Sequence, residues 1–259
     1  MTNNDFSTID LEERINFIKS VELPAGEGAN NLRLQRMTLA NDDPDALVAG
    51  SGVLSFLNGL TKQQKQDVLD SVMLAQLGAN AKYPDQSTQR DEWFEHYSLI
   101  LSKCGWTTTG ESLRRVTNLQ QEFTMDQVAL EIIATVVGAN GKPIVDMMLA
   151  VFAALKETPP ALGLFEQQAN NESSGNFQIL PCIATDDGEV IMIKSCVQFN
   201  STEKVKKILF WTWKENTVEL YAAANSTTLN QRLYSQIREQ VQKTLAGHAS
   251  RFIEDINLG

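Results

Sequence analysis

Histidine and cysteine are scarce in this chain, and their scarcity argues against a metal-dependent activity. The 259 residues include two histidines and three cysteines. Neither His96 nor His248 has a histidine, cysteine or carboxylate partner at a spacing typical of zinc or iron sites. We therefore expect no metal and interpret both histidines as structural.

The chain also lacks a targeting segment and a long hydrophobic run. Residues 1–6 have neither a basic region nor an apolar stretch, so no secretory signal peptide is visible. The strongest apolar run, residues 144–155, is interrupted by Asp146 and is too short to span a bilayer. Reduced thiols in a cytoplasm are therefore expected, with export by a route that needs no standard signal peptide as the alternative.

Positive charge is in the minority. The net charge of -10 repels phosphate backbones, so we expect no nucleic-acid partner. The negative net charge also argues against binding of anionic lipid through a polybasic segment.

Recognisable catalytic motifs are missing as well. Residues 138–143 faintly suggest a phosphate loop, but Pro143 stands where serine or threonine is required. No hydrolase elbow is present, and Cys104 lies two helical turns from His96, beyond hydrogen-bond reach. We assign no catalytic residue.

The N-terminal part does contain strong helix signals. A capping box at residues 61–64 precedes apolar residues at helical spacing, which predicts a helix over residues 62–79. A second helix carries Trp93 and ends at Gly105, and a third follows residues 124–127. Pro143 opens a nearly all-apolar helix to Leu155, which we expect to be sandwiched between the other helices and a sheet.

The C-terminal part changes to the alternating pattern of strands. Four strands are predicted, over residues 177–185, 189–199, 205–213 and 218–224, with a long amphipathic helix from residue 228 onward. The predicted fold class is α+β: a helical part at about 1–160 packs on a four-stranded antiparallel meander, and a closing helix completes about 175–259. We expect one integrated domain over residues 1–259.

Two cysteines lie in predicted strands. Cys182 shares one strand face with Leu180 and Ala184, and Cys196 shares a face with Val190 and Met192. Such cysteines usually behave as small core hydrophobes. The alternative is that one sulfur carries a thioester-linked fatty acid.

Several segments resemble the Evf-type virulence factor family, which includes the motility-associated killing factor proteins C and D. In the first half, the segments that carry the resemblance are residues 58–61, 67–80, 82–83, 93–97 and 105–106. In the second half they are residues 177–182, 186–192, 208–213 and 229–234. The resemblance thus covers about residue 56 to the C-terminus.

The resemblance implies a non-enzymatic, virulence-associated bacterial protein that binds a fatty acid or carries palmitate on a cysteine. It assigns lipid attachment or a lipid tunnel first to Cys182 and second to Cys196. Implied partners are a membrane surface reached through acylation and the toxin proteins that such a protein would assist. The implied location is the bacterial cytoplasm, followed by export or membrane association. Two other functions stay open: a cysteine-dependent acyl hydrolase or transferase, and a ligand-free protein-binding module.

Overall fold

The computed structural model describes residues 3–24, 34–37, 45–57, 59–107 and 112–246. His248 lies outside the described residues. The helices of the described part are α1 (Asn3–Ser20), α2 (Lys62–Lys82), α3 (Arg90–Lys103), α4 (Met125–Val137), α5 (Lys142–Lys156), α6 (Pro159–Ala169) and α7 (Gln231–Ala246).

Strands of very different length accompany these helices. They are β1 (Leu34–Met37), β2 (Asp45–Ala49), β3 (Gly52–Phe56), β4 (Trp106–Thr107), β5 (Arg114–Arg115), β6 (Glu122–Phe123), β7 (Asn170–Asn171), β8 (Ser174–Ala184), β9 (Val190–Ser201), β10 (Trp213–Lys214) and β11 (Val218–Leu229). Among the described residues, nine strands form one mixed sheet in the order β1-β2-β3-β8-β9-β11-β4, with β5 beside β11 and β7 beside β8. Strands β10 and β6 pair separately.

The predicted helix starts and stops are confirmed at several positions. The Thr61 hydroxyl accepts from the Gln64 amide at 3.2 Å, and the Thr61 amide donates to the Gln64 side chain at 2.8 Å, which satisfies donors at the start of α2. Helix α3 ends before Gly105, whose φ of +92° is the conformation that favours glycine after a helix. The predicted closing helix is α7.

The sheet separates two layers of helices. The strand residues that pack with α2, α3 and α7 alternate with those that pack with α4, α5 and α6. On β8, for example, Leu180 and Cys182 lie on the first side, whereas Phe177 and Ile179 lie on the second. The described residues therefore form a mixed α/β fold, in which one sheet is covered by helices on both faces.

The predicted four-stranded meander is wrong at its third strand. Strands β8, β9 and β11 are sequential antiparallel neighbours, but residues 205–212 form an irregular loop. Ile208 and Leu209 are consecutive, yet both pack into the apolar cluster beneath α4, α5 and α6, whereas successive residues of a strand point to opposite faces. The Ile208 amide donates to the Glu166 side chain at 3.2 Å instead of to a neighbouring strand. Because β11 already occupies the free edge of β9, this segment has no edge there to join.

The N-terminal part is not purely helical either. The strands β2 and β3, which the sequence reading missed, pair around a turn at Gly50, and β3 runs parallel to β8. The first part of the chain thus supplies strands to the same sheet as the C-terminal part. The single-domain interpretation stays a prediction.

Helices α5 and α6 also differ from expectation. Helix α5 packs one side against the sheet and exposes Leu149 on the other, so it is not sandwiched. Pro159 and Pro160, interpreted as the end of the helical part, instead occupy the first turn of α6, where proline is tolerated. No single helix of the described residues is long and apolar enough to cross a membrane; α5 and α6 meet that criterion only as a pair bent by 99°.

Candidate functional site

Both predicted site residues lie on the same face of the sheet, which we call the cysteine face. It consists of the strand residues that point toward α2, α3 and α7, and it includes Cys182 on β8 and Cys196 on β9. No disulfide joins the three cysteines, all of which lie in the described part of the chain and are buried. The predicted strand faces of the two cysteines are therefore confirmed.

Cys182 occupies an apolar position in the centre of this face. It lies beside Phe56 of β3 and opposite Met192 of β9, both buried. Its thiol donates to the Leu180 carbonyl oxygen at 3.5 Å. Burial raises the pKa of the Cys182 thiol well above its usual range, because the charged thiolate would lose its hydration. The thiol is neutral in this environment.

Cys196 lies in more polar surroundings. It is fully buried, but its register partner on β8 is Gln178 and its partner on β11 is Ala223. The Gln178 carboxamide accepts from Gln76 at 2.7 Å and from Ser51 at 3.2 Å. An apolar ligand placed here would contact these hydrogen-bonded groups.

The two sulfurs are not neighbours. Cys182 pairs with Met192, and the strand position opposite Cys196 is Gln178, four residues away along β8. At about 3.3 Å per residue the two cysteine positions are separated by roughly 13 Å along the strands. A single thioester could involve only one of them, although one elongated chain could pass both.

Buried Lys194 separates the helix α3 end of the cysteine face from the apolar centre. Its ammonium donates to the Ser98 hydroxyl at 2.9 Å and lies 5.1 Å from the centre of the Phe94 ring. It also lies 5.8 Å from the centre of the Tyr97 ring. Aromatic faces attract cations, which offsets part of the cost of burying this charge.

An acidic pair lies between α2 and α7 at the outer side of the same layer. Asp67 accepts a bidentate ion pair from Arg238 at 2.7 and 2.8 Å. Burial raises the pKa of the Asp70 carboxyl from 3.8 to about 6, although hydrogen bonds from Gln66 and Gln242 oppose that shift. This arrangement joins α7 to α2 through one ion pair and through one hydrogen-bonded carboxyl whose pKa is raised.

Cys104 and Tyr234 lie near Asp70. Burial raises the pKa of the Cys104 thiol to about 12, and the charge on Arg14 only partly offsets it. The Tyr234 hydroxyl is buried and has no hydrogen-bond partner among the described residues. Burial likewise raises the pKa of Tyr234, so neither group supplies an activated nucleophile.

His96 packs against an aromatic ring and lines a small cavity. Its ring meets the edge of Tyr83 with centroids 5.8 Å apart, and it lines a 280 Å³ cavity with Lys82 and Phe17. Burial and the Lys82 charge lower the pKa of His96. The hydrogen bond found for the Cys182 thiol goes to a backbone carbonyl, not to an imidazole. Within the described ranges no group of three histidine, cysteine or acidic side chains is close enough to hold a metal ion.

Three surface cavities formed by the described residues have no cysteine in their lining. Besides the one at His96, a 710 Å³ cavity lies between residues 120–122 and 214–216. A 430 Å³ cavity is lined by residues of the loop that follows β9, including Lys206, Trp211 and Lys214. The sequence reading missed this lysine-rich site, although the lysines at 204, 206 and 207 all stand within seven residues of Trp211.

Two solved structures are remotely similar to this chain. No family model matches the chain, and no curated protein matches it in sequence. A delta-endotoxin structure is similar with a TM-score of 0.41 and 13% identity, over 70% of this chain and 84% of its own. The structure of the Evf virulence factor is similar with a TM-score of 0.36 and 12% identity, over 81% and 86% of the two chains. Both likenesses are remote, and neither identifies an activity.

Proposed function

We propose that this protein is non-enzymatic and virulence-associated, and that its cysteine face holds a fatty acid attached to Cys182 as a thioester. The observation that carries the proposal is the position of the Cys182 sulfur. It lies inside the apolar layer beneath α2 and α7, between Phe56 and Met192. An acyl chain that starts there would be stabilised by about 0.8 kcal/mol for each buried methylene.

Attachment requires an acyl donor and an open core. The Cys182 thiol would displace the thiol of an acyl thioester donor: the carbon–sulfur bond of the donor breaks, a new one forms at Cys182, and the thiol proton passes to the leaving sulfur. Because the thiol is fully buried and its pKa is raised, we place this step before the helical layer closes over the sheet.

Cys196 is the second choice for attachment. Its register partner Gln178 would lose the hydrogen bonds from Gln76 and Ser51 if an acyl chain displaced it. An unpaired buried polar group costs about 1–3 kcal/mol, so the chain is better accommodated at Cys182.

We further propose that the protein acts as an accessory to a secreted toxin. Its support is the resemblance of residues 67–80 and 177–182 to the Evf-type family. An acyl chain exposed on opening of the helical layer would associate the protein with a membrane.

Mass spectrometry tests the attachment directly. Protein purified from its own bacterial host should carry the mass of one acyl chain, and hydroxylamine, which cleaves thioesters, should remove it. The acyl mass should disappear in Cys182→Ala and persist in Cys196→Ala and in the matched control Cys104→Ala.

Peptide mapping of the unaltered protein covers the case in which a variant does not fold. The acyl group should then be found on the peptide that contains Cys182. An unmodified intact mass without copurifying fatty acid would refute the proposal, and an acyl group on Cys196 would reverse the order of the two sites.

A further inference from the structure

The loop between β9 and β10 concentrates lysine around an exposed tryptophan. We call residues 202–212 with Trp213 and Lys214 the lysine–tryptophan loop. Its 430 Å³ cavity is lined by four lysines and one glutamate, together with Trp211. The lysines are Lys204, Lys206, Lys207 and Lys214.

Trp211 differs from every other tryptophan of the chain. Its exposure is 57%, whereas the other three tryptophans are at most 4% exposed. A large exposed aromatic side chain of this kind marks an interaction site when it lies within a patch of distinct chemistry.

The exposure of Trp211 is imposed by its neighbours. Ile208 and Leu209 are fully buried in the layer of α4, α5 and α6. The Trp213 indole donates to the Ile208 carbonyl oxygen at 2.9 Å, and its ring meets Phe199 with centroids 5.2 Å apart. Since the loop is anchored on both sides, Trp211 is held outward.

Two of the four cavity lysines lie near a carboxylate outside the loop, and the other two form no ion pair with the described residues. Lys204 forms an ion pair of 3.4 Å with Glu172, and both side chains are exposed. The described residues place no carboxylate oxygen within ion-pair distance of Lys206 or Lys214. Lys207 lies near Glu166: burial raises the pKa of the Glu166 carboxyl, and the Lys207 charge opposes that shift.

The net charge of the whole chain does not describe this surface. At physiological ionic strength salt screens charges beyond about 8 Å, so an approaching surface senses the nearest groups. A chain with a net charge of -10 can therefore present a basic patch to an anionic partner.

We propose that the lysine–tryptophan loop docks the protein onto an anionic phospholipid surface. Lysines beside tryptophan are the composition of segments that lie in the membrane interface, where the indole occupies the headgroup level and the ammonium groups attract lipid phosphates. This docking is independent of the acyl chain, since the loop lies on the opposite side of the sheet from the cysteine face.

Vesicle binding tests the proposal with protein whose intact mass shows no acyl group. Binding to vesicles of equal parts phosphatidylserine and phosphatidylcholine should be strong at low salt and weak at high salt. The combined variant Lys206→Gln, Lys207→Gln and Lys214→Gln should bind about a hundredfold more weakly, about fivefold for each lysine.

A matched control carries the same change in net charge elsewhere. Lys62→Gln, Lys142→Gln and Lys243→Gln alter three exposed lysines outside the loop and should leave binding unchanged. Trp211 supplies an independent signal, because its emission should shift to shorter wavelength on vesicles. Trp211→Phe should keep binding and abolish that shift.

Three outcomes would overturn the proposal: equal binding to pure phosphatidylcholine vesicles, equal loss in both triple variants, or binding of a polyglutamate peptide without binding of vesicles. The last would assign the loop to an acidic protein partner. If acylation of Cys182 fails while the vesicle result holds, docking stands alone; the converse result leaves the acylation proposal intact.

Discussion

The two faces of the central sheet bury side chains of different chemistry. Toward α4, α5 and α6 the buried strand residues are apolar apart from the small hydroxyls Ser55 and Ser195. The cysteine face buries carboxamides and a lysine, including Gln178 and Lys194. The stability of the first face depends on close packing of side chains. The stability of the second depends also on hydrogen-bond partners for its buried polar groups.

The largest expected loss of stability comes from a substitution on the sheet face that packs with α4, α5 and α6, which we call the apolar face. Phe177→Ala should lower the free energy of unfolding by about 4 kcal/mol, because it removes a fully buried ring that meets Phe165 with centroids 5.7 Å apart. Urea denaturation followed by circular dichroism measures the change. Phe210→Ala, at a partly buried position, is the control and should cost clearly less. Equal losses would mean that burial does not set the energy of this face.

Removal of a charge partner should have the next largest effect. Arg238→Ala should cost about 3 kcal/mol in urea denaturation, because it leaves the buried Asp67 carboxylate without its ion pair. Lys243→Ala on the same helix removes only an exposed pair with Glu239 and should give no measurable change. Adding Asp67→Asn to Arg238→Ala should recover part of the loss. Absence of that recovery would show that Arg238 acts through packing alone.

Replacement of a buried carboxamide by a hydrocarbon tests the difference between the two sheet faces within one strand, β8. Gln178→Leu should cost about 2 kcal/mol although it adds apolar volume, since Gln76 and Ser51 lose their acceptor. The adjacent control Ile179→Leu points to the apolar face and should cost less than about 1.5 kcal/mol. Thermal and urea unfolding of the two variants give the comparison. A Gln178→Leu protein as stable as the control would remove the distinction between the faces.

The smallest expected effect is a gain in stability that depends on pH. The pKa of Asp70 is raised from 3.8 to about 6 in the folded state, so the folded protein binds a proton more tightly than the unfolded chain. Stability should therefore fall as pH rises from about 4 to about 6. Asp70→Asn should remove this dependence and stabilise the protein by about 2 kcal/mol near pH 8. It should have little effect below about pH 4, where the Asp70 carboxyl is protonated in both the folded and the unfolded state. An equal gain at pH 8 and below pH 4 would contradict the assignment.

The helices of the N-terminal part were largely predictable because their signals are local. The capping residue Thr61 and the glycine at 105 act within one turn of the chain, so α2 and α3 follow from short sequence patterns. The faces of Cys182 and Cys196 followed from strand alternation. Whether either cysteine is acylated stays a prediction.

Long-range pairing explains the errors. The segment at 205–212 has strand-like composition, but its backbone hydrogen bonds go to Glu172, to the Glu166 side chain and to the start of α4. The parallel pairing of β3 with β8 joins residues more than a hundred positions apart, and no local pattern specifies it. The lysines of the lysine–tryptophan loop stand close together in the sequence. The negative net charge of the whole chain nevertheless argued against a basic surface, so this patch was not predicted.

The sequence by itself determined where most helices begin and end and which residues share a strand face, because backbone hydrogen bonding and side-chain periodicity act over a few residues. Only the tertiary structure decided that the sheet is mixed and covered on both sides. It also decided that Gln178 and Lys194 are buried with partners and that Trp211 is held outward. These features depend on contacts between distant segments, whose free energies are realised only when the chain is packed.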